Sequence, residues 1–437
     1  MPSCTRTCSL WAMPVTMSTD VSALVRLRWV LALGLSLLLG LACTEEPASV
    51  DETAPQGLES SEEGLEDLAA IGYAEFSSRG AADDLGAGVV LYDAERSVPG
   101  YNLYTSIPFS AAVLIDATGN EVHRWDDDCD VWTRARLLPD GDLLVIGVCR
   151  GDVEVAPFLA RKRWDGSEVW RSNVSAHHDL DVLPDGRILV ITKSRRERTG
   201  YGANDEVRDN ELTLLSPAGE VLQQRSISDM IDAGPALFSW LGEDEFPGAG
   251  ESKPFADFLH CNSLVWLTNT PLSGRDPLYA SGNVLLSSRH QSSLLMVNFE
   301  RGELLWSWGQ GELQRQHEAS VLPNGNILLF DNGTAERGFS RLVELDPGSG
   351  RIVWEYQADP PEEFFSEGRG TVQPLRGGNL LVGNSARGEA FEVTREGEVV
   401  WRFFNPDVRE DGAHAVLRIE RYPVEMIETL LRTVGGR

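Results

Sequence analysis

The 437-residue sequence is poor in basic residues, in histidine and in cysteine, and each shortage narrows what the protein can be. Its 38 lysines and arginines are outnumbered by 67 acidic residues, which gives a formal net charge of -29. Binding of nucleic acid needs a basic surface, so this charge argues against a nucleic-acid partner. An anionic substrate would have to meet a locally basic pocket within an acidic surface.

The amino-terminal region lacks a hydrophobic run long enough for a comfortable membrane span. Its apolar stretch, Trp29 to Leu41, covers about 13 residues and follows the basic residues Arg26 and Arg28. This pattern predicts a signal peptide over residues 1–43. The closing tetrapeptide, Gly40 to Cys43, resembles a bacterial lipoprotein cleavage site. We therefore expect lipid on Cys43 to anchor the protein in the cell envelope, in the periplasm or at the outer membrane; ordinary secretion is the alternative.

The next segment, residues 44–86, is acidic and rich in Ser, Glu, Ala and Pro, with little apolar periodicity. This composition predicts a disordered acidic linker. Residues 87–437 then form the folded domain.

Six cysteines are present in the whole chain. Cys129 and Cys149 flank a predicted hairpin centred near Asp140-Gly141. In an oxidising compartment they could form a cross-strand disulfide, which would leave Cys261 unpaired.

The folded part alternates short strands rich in Val, Leu and Ile with turns rich in Gly, Asp, Asn and Pro, which predicts an all-β fold. One unit recurs six times, a glycine-centred turn followed by a strand that often ends in tryptophan. Its glycines are Gly119, Gly166, Gly219, Gly302, Gly350 and Gly397. Their spacings of 47, 53, 83, 48 and 47 residues suit one four-stranded blade per unit. The sequence therefore predicts a six-bladed β-propeller.

The exceptional spacing of 83 residues predicts one blade with an insertion, at about 226–258. The insertion contains a helix-like segment, Ser228 to Leu241, and immediately precedes His260, so we expect it to cover the functional site. We also expect residues 89–104 to close the ring by pairing with residues 414–422.

Three of the seven histidines fall at a corresponding place in separate repeats. His178 lies five residues before Leu183-Pro-Asp-Gly, and His317 lies five residues before Leu322-Pro-Asn-Gly. His260 fits the same register relative to Val265, without the turn tetrapeptide. Equivalent positions of a propeller converge on its axis, so these histidines should form one cluster.

Other copies of the repeat hold Thr133 and Gly370 at this position, which indicates residues facing a shared space and not a common structural need. Asn262 lies two residues after His260 and so faces the same side of a strand. Arg289 lies at the end of the next strand, where its guanidinium could bind an oxyanion bidentately. For the histidines, the alternative is a structural role as polar groups at the starts of strands that bond to loops. For Arg289, the alternative is a surface salt bridge.

These residues carry a resemblance. The segments His178-Asp179, His260-Cys-Asn262-Ser, Ser287-Ser-Arg289-His-Gln and Gln316-His317-Glu-Ala, in this order and among the Gly-x-x-x-Trp repeats, resemble the bacterial arylsulfotransferase (aryl-sulfate sulfotransferase) family. The resemblance runs from about Gly88 to Tyr422. It implies a six-bladed propeller of the envelope that moves a sulfuryl group from one phenol to another through a sulfohistidine, without a nucleotide donor.

The resemblance also implies a role for each residue. His317 would be the nucleophile, His178 and His260 would be acid/base or sulfate-binding groups, and Asn262 and Arg289 would be sulfate ligands. His177 is the other residue that could match the family's first histidine. The substrates would be an aryl sulfate and a phenol, no metal or other cofactor would be needed, and a homodimer is an arrangement that the family allows.

Three other readings of the sequence stay open. The segment Leu345 to Trp354 resembles the tryptophan motif of quinoprotein-type dehydrogenases, although six blades are visible where those have eight and no adjacent cysteine pair occurs. Three histidines could hold zinc or copper, although Arg289 would repel a cation. The third reading is a non-catalytic binding or scaffold propeller, in which replacing His317 would change nothing.

Overall fold

The computed structural model describes residues 86–150, 155–198, 206–242, 256–268, 270–409, 412 and 414–434. The predicted signal peptide, Cys43 and nearly all of the predicted linker lie outside the described residues, as does the middle of the predicted insertion. The described chain folds into six antiparallel sheets. This confirms the six-bladed β-propeller that the repeat predicts.

Five blades have four strands and one has five, and strands next to the axis contact those of neighbouring blades. From the axis outwards, the first three blades consist of β25 (Val416–Tyr422), β2 (Tyr101–Ile107), β3 (Ala111–Ile115) and β4 (Glu121–Asp126); β5 (Val131–Leu137), β6 (Leu143–Arg150), β7 (Val155–Lys162) and β8 (Glu168–Ser172); and β9 (Ala176–Val182), β10 (Ile188–Glu197), β11 (Glu206–Leu215) and β12 (Val221–Ser226).

The other three blades follow the same order. They consist of β13 (Cys261–Trp266), β14 (Asn283–Ser288), β15 (Ser293–Asn298) and β16 (Glu303–Trp308); β17 (His317–Val321), β18 (Ile327–Asp331), β19 (Arg341–Asp346) and β20 (Arg351–Tyr356); and β21 (Thr371–Pro374), β22 (Leu380–Asn384), β23 (Glu389–Val393) and β24 (Val399–Phe404), with β1 (Gly88–Tyr92) as a fifth, outer strand.

The two ends of the propeller close the ring. β25 is the axial strand of the first blade and pairs with β2, in a register that runs from Tyr101 opposite Tyr422 to Ile107 opposite Val416. The predicted closure is therefore confirmed for β2. It is wrong for β1, which pairs with the outer edge of β24 instead. Helix α2 (Val424–Val434) follows β25 and packs Ile427 and Leu430 against the core of the first two blades.

Hydrophobic side chains from facing sheets fill the spaces between the blades. Leu189 of β10 and Leu286 of β14, for example, belong to one buried cluster between the third and fourth blades. Among the residues that the structure describes, no helix is both long and apolar enough to cross a membrane. Cys129 and Cys149 form a disulfide that ties the loop before β5 to the end of β6, and Cys261 is a buried free thiol.

The repeated tryptophans link the outer edges of neighbouring blades. Each indole N–H donates to a backbone carbonyl in the outer turn of the next blade, from Trp125 to Arg163, Trp170 to Pro217, Trp308 to Gly350, Trp354 to Arg395 and Trp401 to Ala117. The third blade has no tryptophan there, and Arg225 donates to the Glu300 carbonyl at 2.7 Å instead. Six hydrogen bonds of this kind thus run round the ring. Three come from tryptophans four residues after the repeat glycine, and the other three, from Trp125, Arg225 and Trp308, come from two residues further along the outer strand.

Trp401→Ala should be one of the costlier changes to the fold. Its indole is fully buried, stacks on Phe403 and closes the ring by its bond to Ala117. Loss of such a side chain lowers the free energy of unfolding by about 3–5 kcal/mol. Trp170→Ala is the matched control, because Trp170 makes the same bond while half-buried. Chemical denaturation should show a clearly smaller loss for Trp170→Ala, and equal losses would contradict the role given to burial.

The extra chain predicted at about 226–258 lies between β12, which ends at Ser226, and β13, which begins at Cys261. Helix α1 (Ile227–Ala233) begins at Ser226, whose hydroxyl accepts from the Asp229 N–H, and it ends before Gly234-Pro235. The helix is thus shorter than the predicted Ser228–Leu241. Further extra length lies outside the predicted insertion, in the axial hairpin of the fourth blade, where a long loop joins Leu267 to Asn283.

Candidate active site

A cavity at the centre of the ring is lined by residues from all six blades, and five blades contribute the residue at the corresponding repeat position. These are Thr133, His178, Asn262, His317 and Gly370, together with Ile107, Arg369, Thr371, Ser385, Leu417 and Arg418. Convergence of equivalent positions, as expected from the repeat, therefore brings His178 and His317 to the same cavity. Asn262 joins them there, whereas His177 is fully buried beside the cavity.

Backbone hydrogen bonds correct the predicted register of His260. In the blades that have the turn tetrapeptide, its leucine donates its N–H to a carbonyl four residues later, as Leu183 does to Arg187 and Leu322 to Asn326. The corresponding bond of β13 joins Leu267 to Asn283. Five residues before Leu267 is Asn262, so the predicted equivalence of His260 with His178 is wrong by two residues. The shift could not be recognised in the sequence because this hairpin has a long loop in place of the turn tetrapeptide that sets the register.

His317 begins β17, and its hydrogen bonds determine its tautomer. Its Nδ1 lies 2.7 Å from Oδ1 of Asn332 and 3.1 Å from the carbonyl oxygen of Arg315. The amide of Asn332 is itself oriented, because its Nδ2 donates to the carbonyls of Ser366 and Arg369. Both neighbours of Nδ1 are therefore acceptors, so Nδ1 carries the proton. Nε2 is left with a lone pair, as a nucleophile requires.

Asn332 should thus act as a positioning residue for His317. Asn332→Leu removes the acceptor. In any reaction that uses Nε2 of His317 as the nucleophile, we expect kcat to fall by roughly ten- to hundredfold, the equivalent of about 1–3 kcal/mol, with little change in KM. Asn332→Asp keeps an acceptor but adds a negative charge that favours the imidazolium. Its pH profile should therefore lose activity on the acidic side at a higher pH than the wild type. Unchanged profiles in both variants would contradict this role.

His178 and His260 form a hydrogen-bonded pair backed by a carboxylate. Nε2 of His178 lies 3.0 Å from Nε2 of His260, so one proton is shared between the two rings. Nδ1 of His260 donates to Oδ2 of Asp257 at 2.9 Å. Burial alone would raise the pKa of Asp257, but His260, His290 and Arg208 hold it well below its usual range. Asp257 is thus an anion that can stabilise positive charge on the histidine pair.

The charged groups of the site keep the histidines neutral. Burial, reinforced by Arg289, lowers the pKa of His317 well below its usual value. Burial, His260 and Arg369 do the same for the pKa of His178. Burial also lowers the pKa of His260, against the opposing effect of Asp257. Near pH 7 the imidazoles are therefore bases and nucleophiles, surrounded by guanidinium groups.

Arg289 is buried immediately after β14, where the sequence predicts it. Its guanidinium donates to Nε2 of His290 at 2.8 Å, and Nδ1 of His290 donates to the carbonyl of Asp257. Arg289 influences the pKa of His317 but is not among the residues that line the cavity, which Arg369 is. Arg369 is therefore a cation at the cavity alongside His178 and His317, and the sequence patterns did not indicate it. Arg418 also lines the cavity, but it is paired with Asp179 and Glu318.

Two acidic residues hold the backbone next to the histidines. Asp179 and Glu318 directly follow His178 and His317, and both accept from Arg418, at 3.1 and 2.7 Å. His178 and Glu318 have positive φ angles of 56° and 42°, a conformation that costs a non-glycine residue about 1–3 kcal/mol. The shared ion pairs with Arg418 help to maintain both strained positions. They fix the directions in which the two histidines point.

Three residues of the site were not found from the sequence: Asp257, Asn332 and Arg369. Asp257 had a weak signal, since it lies three residues before His260. Asn332 and Arg369 lie in neither histidine motif, and they reach the site because β18 and the segment before β21 meet at the axis. The contact between these two segments cannot be predicted from a sequence pattern.

Comparisons with known proteins agree with parts of this picture. The chain is 29% identical over 168 residues to the "Alcohol dehydrogenase (quinone), dehydrogenase subunit" of Gluconobacter oxydans, a match that covers 34% of this chain and 22% of that protein. The same subunit of Gluconacetobacter polyoxogenes is 29% identical over 160 residues, 31% of this chain and 21% of that protein. The chain thus spans about a fifth of the length of these curated relatives.

A solved structure of a protein of unknown function from Bacteroides caccae is also similar. It is 18% identical, with a TM-score of 0.48, and the match covers 74% of this chain and all of that one. The sequence pattern of the family "Arylsulfotransferase (ASST)" matches residues 159–406, more than half of the chain. That range contains His178, His260, Asn262, Arg289 and His317. The chain belongs to the arylsulfotransferase family.

Proposed function

We propose that this protein is an aryl-sulfate sulfotransferase that transfers a sulfuryl group from a phenolic sulfate ester to a phenol through His317. One observation carries the proposal. Nδ1 of His317 donates to Asn332, so the remaining nitrogen of a neutral imidazole is available in a cavity that the cation Arg369 also lines. A sulfate ester is an anion, and a guanidinium matches its oxygens.

In the first half-reaction, Nε2 of His317 attacks the sulfur of the donor. The N–S bond forms as the S–O bond to the aryl group breaks, and the phenolate leaves with the electron pair of that bond. The sulfate group of the bound donor and the carboxylate of Asp257 together favour uptake of an extra proton by the His178–His260 pair. The protonated pair gives this proton to the phenolate and becomes neutral. The products are a phenol and a sulfuryl group on His317.

In the second half-reaction, a second phenol loses its proton to the His178–His260 pair and attacks the same sulfur. The N–S bond breaks, its electron pair returns to Nε2, and the product is a new aryl sulfate. Sulfuryl transfer resembles phosphoryl transfer in needing alignment and neutralised charge on the outer oxygens. Arg369, Arg289 and the amide of Asn262 supply that charge and hydrogen bonding, and imidazole supplies the nucleophile and the acid/base pair. The proposal includes envelope anchoring through lipid on Cys43.

The direct test incubates purified protein with 4-nitrophenyl sulfate, with and without phenol. We expect nitrophenolate release that depends on phenol and yields phenyl sulfate. Release of free sulfate without an acceptor would point to a hydrolase. Oxidation of an alcohol by an artificial electron acceptor would favour the dehydrogenase activity named for the curated relatives. If the protein catalyses none of these reactions, a non-catalytic binding propeller is the better account.

The pH dependence of the first half-reaction follows from the neutral state of His317. The nucleophile is the unprotonated form, which persists as the pH falls until the pH reaches its lowered pKa. With a donor whose phenol is acidic, so that protonation of the leaving group is not limiting, kcat/KM should hold as the pH falls through about 6.5, the usual imidazole pKa. It should decline only at lower pH. A decline centred at 6.5 would contradict the buried, neutral state of His317.

A further inference from the structure

We propose that His177, His178 and His260 form a binding site for a single divalent transition-metal ion, Zn²⁺ or Cu²⁺, and that the bound ion blocks sulfuryl transfer. Nitrogen ligands of this number and kind suit these two metals. The binding part stands on the cluster itself, whereas the blocking part rests on the proposed function.

The geometry of the three imidazoles is close to that of a metal site. One nitrogen from each ring lies within 4.8 Å of the other two. The Nε2 atoms of His178 and His260 are 3.0 Å apart. In a tetrahedral zinc site with bonds of about 2.0–2.1 Å, neighbouring nitrogens are roughly 3.3 Å apart. Small side-chain movements would therefore let a metal take the place of the shared proton.

Asp257 provides the outer support that histidine ligands usually have. Its Oδ2 accepts from Nδ1 of His260 at 2.9 Å, which leaves Nε2 as the donor atom. A carboxylate behind a histidine ligand fixes the ring and strengthens its bond to the metal. All three histidines are buried, so their side chains are held in place before a metal arrives.

A second grouping, Asp257, His260 and His290, has its donor atoms equally close together. Both nitrogens of His290 are already used, because Nδ1 donates to the Asp257 carbonyl and Nε2 accepts from Arg289. A metal there would have to displace the buried Arg289. The grouping of His177, His178 and His260 does not contain His290, and it is the one we favour.

The surrounding charges determine which metals can bind. Arg208 lies 3.5 Å from Asp257, and Arg369 and Lys193 lie within electrostatic reach of His178. These cations oppose any metal ion, so binding must come from strong bonds to nitrogen. Zn²⁺ and Cu²⁺ form such bonds, whereas Mg²⁺ and Ca²⁺ prefer oxygen ligands. A bound ion would occupy the nitrogens of His178 and His260 and so remove the acid/base pair.

The test measures metal binding without any substrate. Protein free of a histidine tag is titrated with Co²⁺, whose visible absorption reports nitrogen ligation, and with ZnCl₂ by calorimetry. We expect one Zn²⁺ per chain, loss of binding in His177→Ala and in His178→Ala, and binding about 10- to 100-fold weaker in Asp257→Asn. Three controls should keep the site: His290→Ala, His317→Ala, and Cys261→Ser, which removes the buried thiol next to His260.

Unchanged binding in His178→Ala, or loss of binding in His290→Ala, would overturn the assignment of the ligands. In the transfer assay, ZnCl₂ should inhibit the wild type, EDTA should restore its activity, and MgCl₂ should have no effect. Zinc binding without inhibition would overturn the blocking role. Absence of transfer in metal-free wild type would count against the proposed function alone, because the binding measurements need no turnover.

Discussion

His317→Ala is expected to reduce phenol-dependent transfer from 4-nitrophenyl sulfate by about 10⁴-fold or more. The substitution removes the Nε2 atom that would carry the sulfuryl group between donor and acceptor. His317 lines the cavity, and its bond to Asn332 leaves the lone pair on Nε2. The rate should be measured with saturating donor, with and without acceptor, after denaturation curves show that the variant folds.

His123→Asn is the matched control for this loss. His123 lies on β4, the outermost strand of its blade, where it donates to the Trp164 carbonyl and stacks on that indole. The His123→Asn variant should be somewhat less stable than the wild type and should keep the full transfer rate. Substantial nitrophenolate release by His317→Ala would exclude His317 as the nucleophile, and loss of activity in both variants would point to a general folding defect.

His178→Gln should lower the rate by about 10²–10⁴-fold, the usual worth of general acid–base catalysis, and the loss should depend on the donor. A donor with a weakly acidic phenol, such as phenyl sulfate, needs a proton on its leaving oxygen and should lose the most. 4-Nitrophenyl sulfate releases a more acidic phenol and should lose less. Asp257→Asn should show the same trend with a smaller loss, because Asp257 acts through His260.

The comparison of the two donors separates this role from simple binding. If His178 only held the sulfate group, both donors would lose activity equally and the loss would appear in KM. A series of aryl sulfates of graded acidity, with log kcat plotted against leaving-group pKa, makes the distinction. A steeper slope in His178→Gln than in the wild type supports the acid role, and parallel lines would contradict it.

The propeller could be predicted from the sequence because its blades repeat. A glycine turn and a tryptophan in the strand after it recur at a nearly constant spacing, and the structure shows one reason: in five blades a tryptophan of the outer strand donates to the next blade's outer turn. β1 was misplaced because both β1 and β2 pair with strands more than 300 residues away, and nothing local distinguishes the two. The insertion was placed correctly between β12 and β13, but its helix, α1, is shorter than predicted.

The repeat made only part of the site predictable from the sequence. His178 and His317 follow from equivalent positions in two blades, and Asn262 proves to be the third member of that series. His260 reaches His178 from two residues earlier, a contact that depends on the backbone and not on the register. Asn332 and Arg369 act through contacts between blades, so they become visible only in three dimensions.

The most direct test of the central claim is to trap the intermediate. The protein is incubated with 4-nitrophenyl sulfate and no acceptor, quenched at alkaline pH and digested for mass spectrometry, beside a His317→Ala sample. The account predicts one added sulfuryl group on the peptide that contains His317, and its disappearance when phenol is added before the quench. A sulfuryl group on any other residue, or transfer activity without a trapped adduct on His317, would contradict it.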